Sequence, residues 1–149
     1  MTKVSPTLAT AARALLDERR VAHLATADRA GRPHVIPLCY ARDEDRLYFV
    51  VDEKPKAAGK RLKRIRNIVE NPEVALVVDV YDEDWSRLEY LLVRGRAEIV
   101  GDAAEFARAL DLLRSRYPQY LTMRLEPGRN ELVRIAPTAV HHWKGAPTP

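Results

Sequence analysis

The sequence predicts a single α+β domain, a small antiparallel β-barrel with helices on its outside. Apolar residues follow a strand period over most of the chain and a helical period in three stretches, giving the order αβββαββαβ. Strands follow one another as meanders with few helices between them, which favours antiparallel pairing over a parallel sheet. The almost unbroken apolar run Val74 to Val80 has the composition of a strand buried on both faces and is expected at the centre of the barrel. At 149 residues the chain has the size of one domain with one core, and it shows no internal repeat or low-complexity segment.

Ser5 and Pro6 read as a helix start, Ser as N-cap and Pro at the first helical position, with Leu8, Ala12, Leu15 and Leu16 at helical spacing behind them. The first helix is expected over Pro6 to Arg19. Val21 to Thr26 reads as a strand, and Asp28 to Arg32, with Gly31, as a hairpin turn. In the second strand, Pro33 to Tyr40, Pro37 lacks the N–H that a central ladder needs, which marks an edge or a place where another group approaches. Arg42 to Asp45 is a polar turn into a third strand, Leu47 to Val51, and the three strands are expected to form a meander.

From Ala57 to Glu70 the period becomes helical, with Leu62, Ile65 and Val69 on one narrow stripe, and Asn71-Pro72 stops the helix. After Val74 to Val80 comes an acidic loop, Asp82 to Trp85, and then a long strand from Leu88 to Val100. Asp102 caps a third helix running to Arg116, whose buried face is Phe106, Ala109, Leu110 and Leu113, and Tyr117-Pro118 ends it. The last strand is Glu131 to Trp143.

A hydrophobic fraction of 46% with 31% charged residues belongs to a folded protein rather than a disordered one. Cys39, the only cysteine, allows no intrachain disulfide and sits between Leu38 and Tyr40, where it is expected to be buried. The amino terminus lacks a signal-peptide layout and no stretch reaches the length of a membrane span. A cytoplasmic location is the expectation.

The net charge of +4 is concentrated. Lys54, Lys56, Lys60, Arg61, Lys63, Arg64 and Arg66 fall just past a strand end and into a helix start, with few acids nearby in sequence. Helix-terminal N–H groups and several cations can converge there on one anion. The alternative for such a run is a solvated helix face. No P-loop or dinucleotide fingerprint is present. The four histidines His23, His34, His141 and His142 lack zinc-ligand spacing, and no serine or cysteine sits in a nucleophile motif, so no metal site or covalent hydrolase is expected. Exposed aromatics are not interleaved with the cations, which argues against a nucleic-acid partner. Trp85 and Arg87 in a polar loop, and Trp143 near the end, suit stacking on a planar ring or a subunit interface.

Taken in order, Thr26-x-x-x-x-Gly31-Arg32-Pro33-His34-Val35-Ile36-Pro37, Leu47-Tyr48-Phe49-Val50, the basic run Lys54 to Asn67, Asn71-Pro72-x-Val74-Ala75-Leu76 and Val93-x-Gly95-x-Ala97 resemble the pyridoxamine 5'-phosphate oxidase-like, FMN-binding split barrels. Asp82 to Leu88 and Arg116-Tyr117-Pro118-Gln119-Tyr120 are similar to the deazaflavin-dependent subgroup that uses coenzyme F420. The resemblance spans Leu15 to Trp143. It implies an antiparallel split barrel with peripheral helices, acting as a homodimer with cofactor sites at the interface. His34, Val35, Ile36 and Pro37 would line the ring, and Val51 and Asp52 would flank its linker. Lys54, Lys56, Lys60, Arg61, Arg64 and Asn67 would meet phosphate or carboxylates. Trp85, Arg87 and Trp143 would arrive from the partner subunit.

An extended cation cluster suits the long polyanionic tail of F420 better than the single phosphate of flavin mononucleotide (FMN). The expected activity is hydride transfer between reduced F420 and a small planar substrate, with no membrane partner. An FMN-dependent oxidoreductase and a non-catalytic cofactor carrier are the alternatives. No catalytic residue is singled out, although Tyr48 or His34 could supply a proton.

Overall fold

Asp28 shows how local chemistry starts the sheet. Its Oδ1 accepts from the N–H groups of Ala30 and Arg32 at 3.0 and 2.9 Å, and its Oδ2 accepts from Arg32 Nε at 2.7 Å. Gly31 takes the positive φ of 80° that closes the turn. The Arg32 hydrogen bonds hold the Asp28 carboxyl at about 2, below the usual carboxylate range. This hairpin joins β1 (Ala22–Ala27) to β2 (Pro33–Leu38). The computed structural model describes residues 6–52 and 61–147.

The other strands are β3 (Ala41–Asp43), β4 (Arg46–Val50), β5 (Glu73–Val80), β6 (Glu89–Ile99) and β7 (Leu132–Lys144). All pairings are antiparallel, in one sheet of order β2-β1-β5-β6-β7-β4-β3. β2 is an edge strand, as Pro37 requires. The expected three-strand meander does not form. β2 and the β3–β4 hairpin lie at opposite ends of the sheet, because the chain turns away at Cys39 and Tyr40 and anchors Tyr40 in the interior. Arg42 and Asp43, expected in a turn, belong to β3, and the turn itself is Glu44-Asp45, with Glu44 at φ 53°.

β6 rather than β5 is the middle strand, and the strand buried on both faces is β4. Leu47 and Phe49 face the barrel interior while Tyr48 and Val50 face a second core under α3 (Ala103–Arg116). β5 instead buries Val74, Leu76 and Val78 and leaves Ala75 and Val77 half-buried on the sheet's outer face. Among the described residues no helix covers that face, so the apolar run has no second layer there.

The helices pack outside the sheet. α1 (Thr10–Glu18) begins after its predicted start, since Leu8 is buried and its N–H donates to Asp45 Oδ1 at 2.9 Å, which holds residues 6–9 out of the helix. α2 (Lys63–Glu70) turns Ile65, Asn67 and Ile68 inward, whereas Val69, expected on the stripe, is exposed. α3 follows its reading closely: Asp102 accepts from the Glu105 N–H at 2.8 Å, and Phe106, Ala109, Leu110 and Leu113 are buried. Beneath it Glu105 joins Tyr48 Oη at 2.8 Å and Arg134 Nη1 at 2.6 Å, anchoring α3 to β4 and β7. A 3₁₀ turn at Pro118–Thr122 then brings the chain back toward β2.

Gly95 lies at the bulge where β6 and β7 shift register. A Cβ there would stand 2.7 Å from the Ala136 carbonyl oxygen and 2.8 Å from Ile135 Cγ2. Gly95→Ala is therefore expected to cost about 2 kcal/mol of overpacking and to lower the melting temperature by roughly 4–8 °C. Thermal denaturation followed by circular dichroism checks this.

Candidate functional site

Because the sheet curls, strands from its two ends approach each other and leave a cleft of about 350 Å³. One wall is the end of β2 with the residues after it, Ile36, Pro37, Leu38 and Cys39. The facing wall is Phe49 and Val50 of β4, with Asp52 beyond it, Arg64 from α2 and Tyr120 from the Pro118–Thr122 turn. The lining of the cleft mixes apolar side chains with the charged Asp52 and Arg64 and the polar Cys39 and Tyr120. That volume lies in the range of small-molecule sites, and a slot with a few convergent polar groups is the usual form of one.

The electrostatics are those of a partly desolvated site. Burial, and then the Asp52 charge, push the Cys39 thiol above its ordinary pKa. Burial, and then the neighbouring Cys39 and Asp52, push the Tyr120 phenol up likewise. Both groups therefore stay protonated at neutral pH. Arg64 Nε is buried and has no hydrogen-bond partner among the described residues. An orphaned guanidinium N–H of a residue lining a cleft fits a missing anionic group.

Ile36, Pro37, Asp52 and Arg64 of the sequence-derived site meet in this cleft. His34 and Val35 lie further along β2, His34 opposite the buried Thr26 on the inner face and Val35 opposite Ala25 on the outer face, and Val51 packs against the main core. Arg61 forms an ion pair with Glu131 at 3.1 Å and Lys63 lies 3.9 Å from Asp28, so acids distant in sequence reach two of the cations. Asn67 is 1% exposed and its amide donates to Thr26 Oγ1 at 3.0 Å, between α2 and β1. Lys54, Lys56 and Lys60 lie outside the described residues. Trp85, 70% exposed, and Arg87 stand in the loop before β6, while Trp143 stacks on Tyr90 at 5.8 Å. None of these three lines the cleft of its own chain.

Sequence reasoning missed Leu38, Cys39, Phe49, Val50 and Tyr120 as cleft residues. Cys39 is only half-buried, because the chain corner after β2 opens its side chain to the cleft. Tyr48 is not available there: its hydroxyl is bound to Glu105 in the second core. Among the described residues no cluster of His, Cys, Asp or Glu has the form of a metal site, and no helix is long and apolar enough to cross a membrane.

A curled antiparallel half-barrel with outer helices and a slot between its edges defines the split-barrel class of α+β proteins. Within it, the chain belongs to the pyridoxamine 5'-phosphate oxidase family, whose model matches residues 8–144. No curated protein sequence matches it. Among solved structures, an F420 reductase is 31% identical with a TM-score of 0.59, over 87% of this chain and 94% of that one. A FAD-binding protein from Mesorhizobium loti is 24% identical with a TM-score of 0.68, over 93% and 96% of the two chains. The haem storage protein HutZ from Vibrio cholerae is 17% identical with a TM-score of 0.70, over 94% and 98%. The last two likenesses show the fold alone. The fold is thus shared by flavin, deazaflavin and haem proteins.

Proposed function

We propose that the protein is an F420-dependent oxidoreductase acting as a homodimer on a small planar substrate. The observation that carries this reading is the cleft between β2 and β4, whose lining includes Asp52 and Arg64 with its unpaired Nε. In the sequence, Asp52 is followed by Lys54, Lys56 and Lys60, which add to the positive charge of Arg64. Ile36, Pro37 and Phe49 would hold a planar ring, and Arg64 with the basic segment would hold its anionic tail. When bound, the deazaflavin supplies the hydride chemistry. The 31% identity to an F420 reductase favours this cofactor over FMN.

The dimer rests on the uncovered outer face of the sheet. There β1, β5 and β6 present Ala25, Ala75, Val77 and Leu92 in adjacent registers, with Val35 of β2 64% exposed beside them. Trp143 lies on this same face, so a second copy packed here is a route by which the partner's Trp143, with its Trp85 and Arg87, would reach the cleft.

Ultrafiltration of the purified protein with F420 and, separately, with FMN tests the reading. Retention of F420 is expected, and Arg64→Ala should weaken it about tenfold or more, the worth of a charge-assisted hydrogen bond. Retention of FMN alone would make the protein a flavin enzyme. Retention of neither at micromolar protein would sink the proposal, and tight F420 binding without turnover of any acceptor would make it a carrier.

A further inference from the structure

Four tyrosines are buried among the described residues: Tyr40, Tyr48, Tyr117 and Tyr120. Three of them spend their hydroxyls on the fold. Tyr40 Oη donates to the Leu16 carbonyl at 2.6 Å, Tyr48 Oη to Glu105 at 2.8 Å, and Tyr117 Oη to the Arg20 carbonyl at 2.8 Å. The Tyr120 hydroxyl has no oxygen or nitrogen partner among the described residues. It faces the thiol of Cys39, a weak acceptor, and both residues line the cleft.

We propose that the Tyr120 hydroxyl is a ligand-binding donor of this cleft, and that it serves a carbonyl or ring nitrogen on the edge of a planar heterocycle. The inference rests on the cofactor reading above and names a contact within it. A donor whose one partner is a thiol keeps most of its hydrogen-bonding capacity for a better acceptor, and Tyr120 and Cys39 both line the cleft where a ligand would bring one. The acceptor is neutral, because the Asp52 carboxylate that shares the cleft repels an anion at this end and Arg64 offers the better anion site. The phenol, raised above its usual pKa by burial, keeps its proton and so can donate it.

Tyr120 is also held in place before any ligand arrives. Its N–H donates to the Tyr117 carbonyl at 3.0 Å, and its own carbonyl accepts from Arg114 Nε at 3.2 Å. The Tyr117 ring meets it edge-on, with centroids 5.8 Å apart. A donor fixed by its backbone and its neighbour loses little freedom on binding. Cys39 is the resting acceptor of the single phenol O–H, which turns from the thiol to a stronger oxygen or nitrogen acceptor when a ligand brings one.

Tyr120→Phe tests the assignment, with wild type and variant each titrated with F420 and with FMN. Whichever cofactor the wild type binds should bind the variant about fivefold more weakly, with an altered absorption band because the ring loses an edge hydrogen bond. The melting temperature of the apoprotein should stay within about 2 °C, since no protein oxygen or nitrogen loses a partner. Unchanged affinity and absorption in a variant that binds, or a markedly lower melting temperature that gives the hydroxyl a structural role, would overturn the proposal. Failure of the wild type to bind either cofactor would remove the cofactor reading and this contact with it.

Discussion

Arg116→Ala is expected to destabilise the protein by about 3 kcal/mol, from several hydrogen bonds of a charged donor and a ring stack lost together. Arg116 Nη1 donates to the Asp17 carbonyl at 2.7 Å and Nη2 to the Leu16 carbonyl at 3.1 Å and to that of Arg19. These are carbonyls of the last turn of α1, which helix geometry leaves without partners. Its Nε reaches Tyr117 Oη at 3.1 Å, and the guanidinium lies 5.1 Å from the Tyr40 ring centroid and 5.5 Å from that of Tyr117. One side chain at the end of α3 therefore caps α1 and clamps the corner where the chain leaves β2. The melting temperature should fall by roughly 6–12 °C. Arg116→Lys should recover less than half of the loss, because an ammonium cannot fork between carbonyls and stack on a ring at once. A variant melting within about 2 °C of wild type would show that the clamp contributes nothing.

The same stretch shows what the sequence discloses and what it withholds. The run Arg116-Tyr117-Pro118-Gln119-Tyr120 is visible as a signature, but its parts divide between jobs that only the fold separates: Arg116 and Tyr117 hold α1, and Tyr120 lines the cleft. Features set by near neighbours were legible, such as the Asp28–Gly31 hairpin, the Asp102 cap and the inward face of α3, because their physics is complete within a few residues. Pro37 announced an edge strand for the same reason. Features set by distant partners were not. β4 is covered on its second face by a helix that begins more than fifty residues later in the chain, so its double burial could not be read from Leu47 to Val50. β3 pairs through only three residues and carries charge at two of them, which made it look like a turn. The cleft itself joins Cys39 to Tyr120, and no periodicity connects those positions.

Val77→Asp is expected to convert the proposed dimer into folded monomers. Within one chain Val77 is half-buried, with His23 of β1 and Leu92 of β6 as its cross-strand neighbours, so a carboxylate there keeps access to water and should cost the monomer little. Across an interface the same carboxylate would lose water beside Ala75, Leu92 and the partner's surface, with Arg94 only diagonal to it on its own sheet, and a poorly paired buried charge costs several kcal/mol. The dimer dissociation constant should rise on the order of a hundredfold or more, read by light scattering on a sizing column over a range of protein concentrations. Val77→Thr, similar in shape and uncharged, should leave the dimer in place. If the partner's Trp85, Arg87 and Trp143 complete the cleft, F420 retention should fall with the dimer in Val77→Asp while Arg64 and Tyr120 remain untouched. Retention that survives in the monomer would place the whole cofactor site within one chain. A wild-type protein that is itself monomeric, or a Val77→Asp variant that stays dimeric, would move the interface off this face.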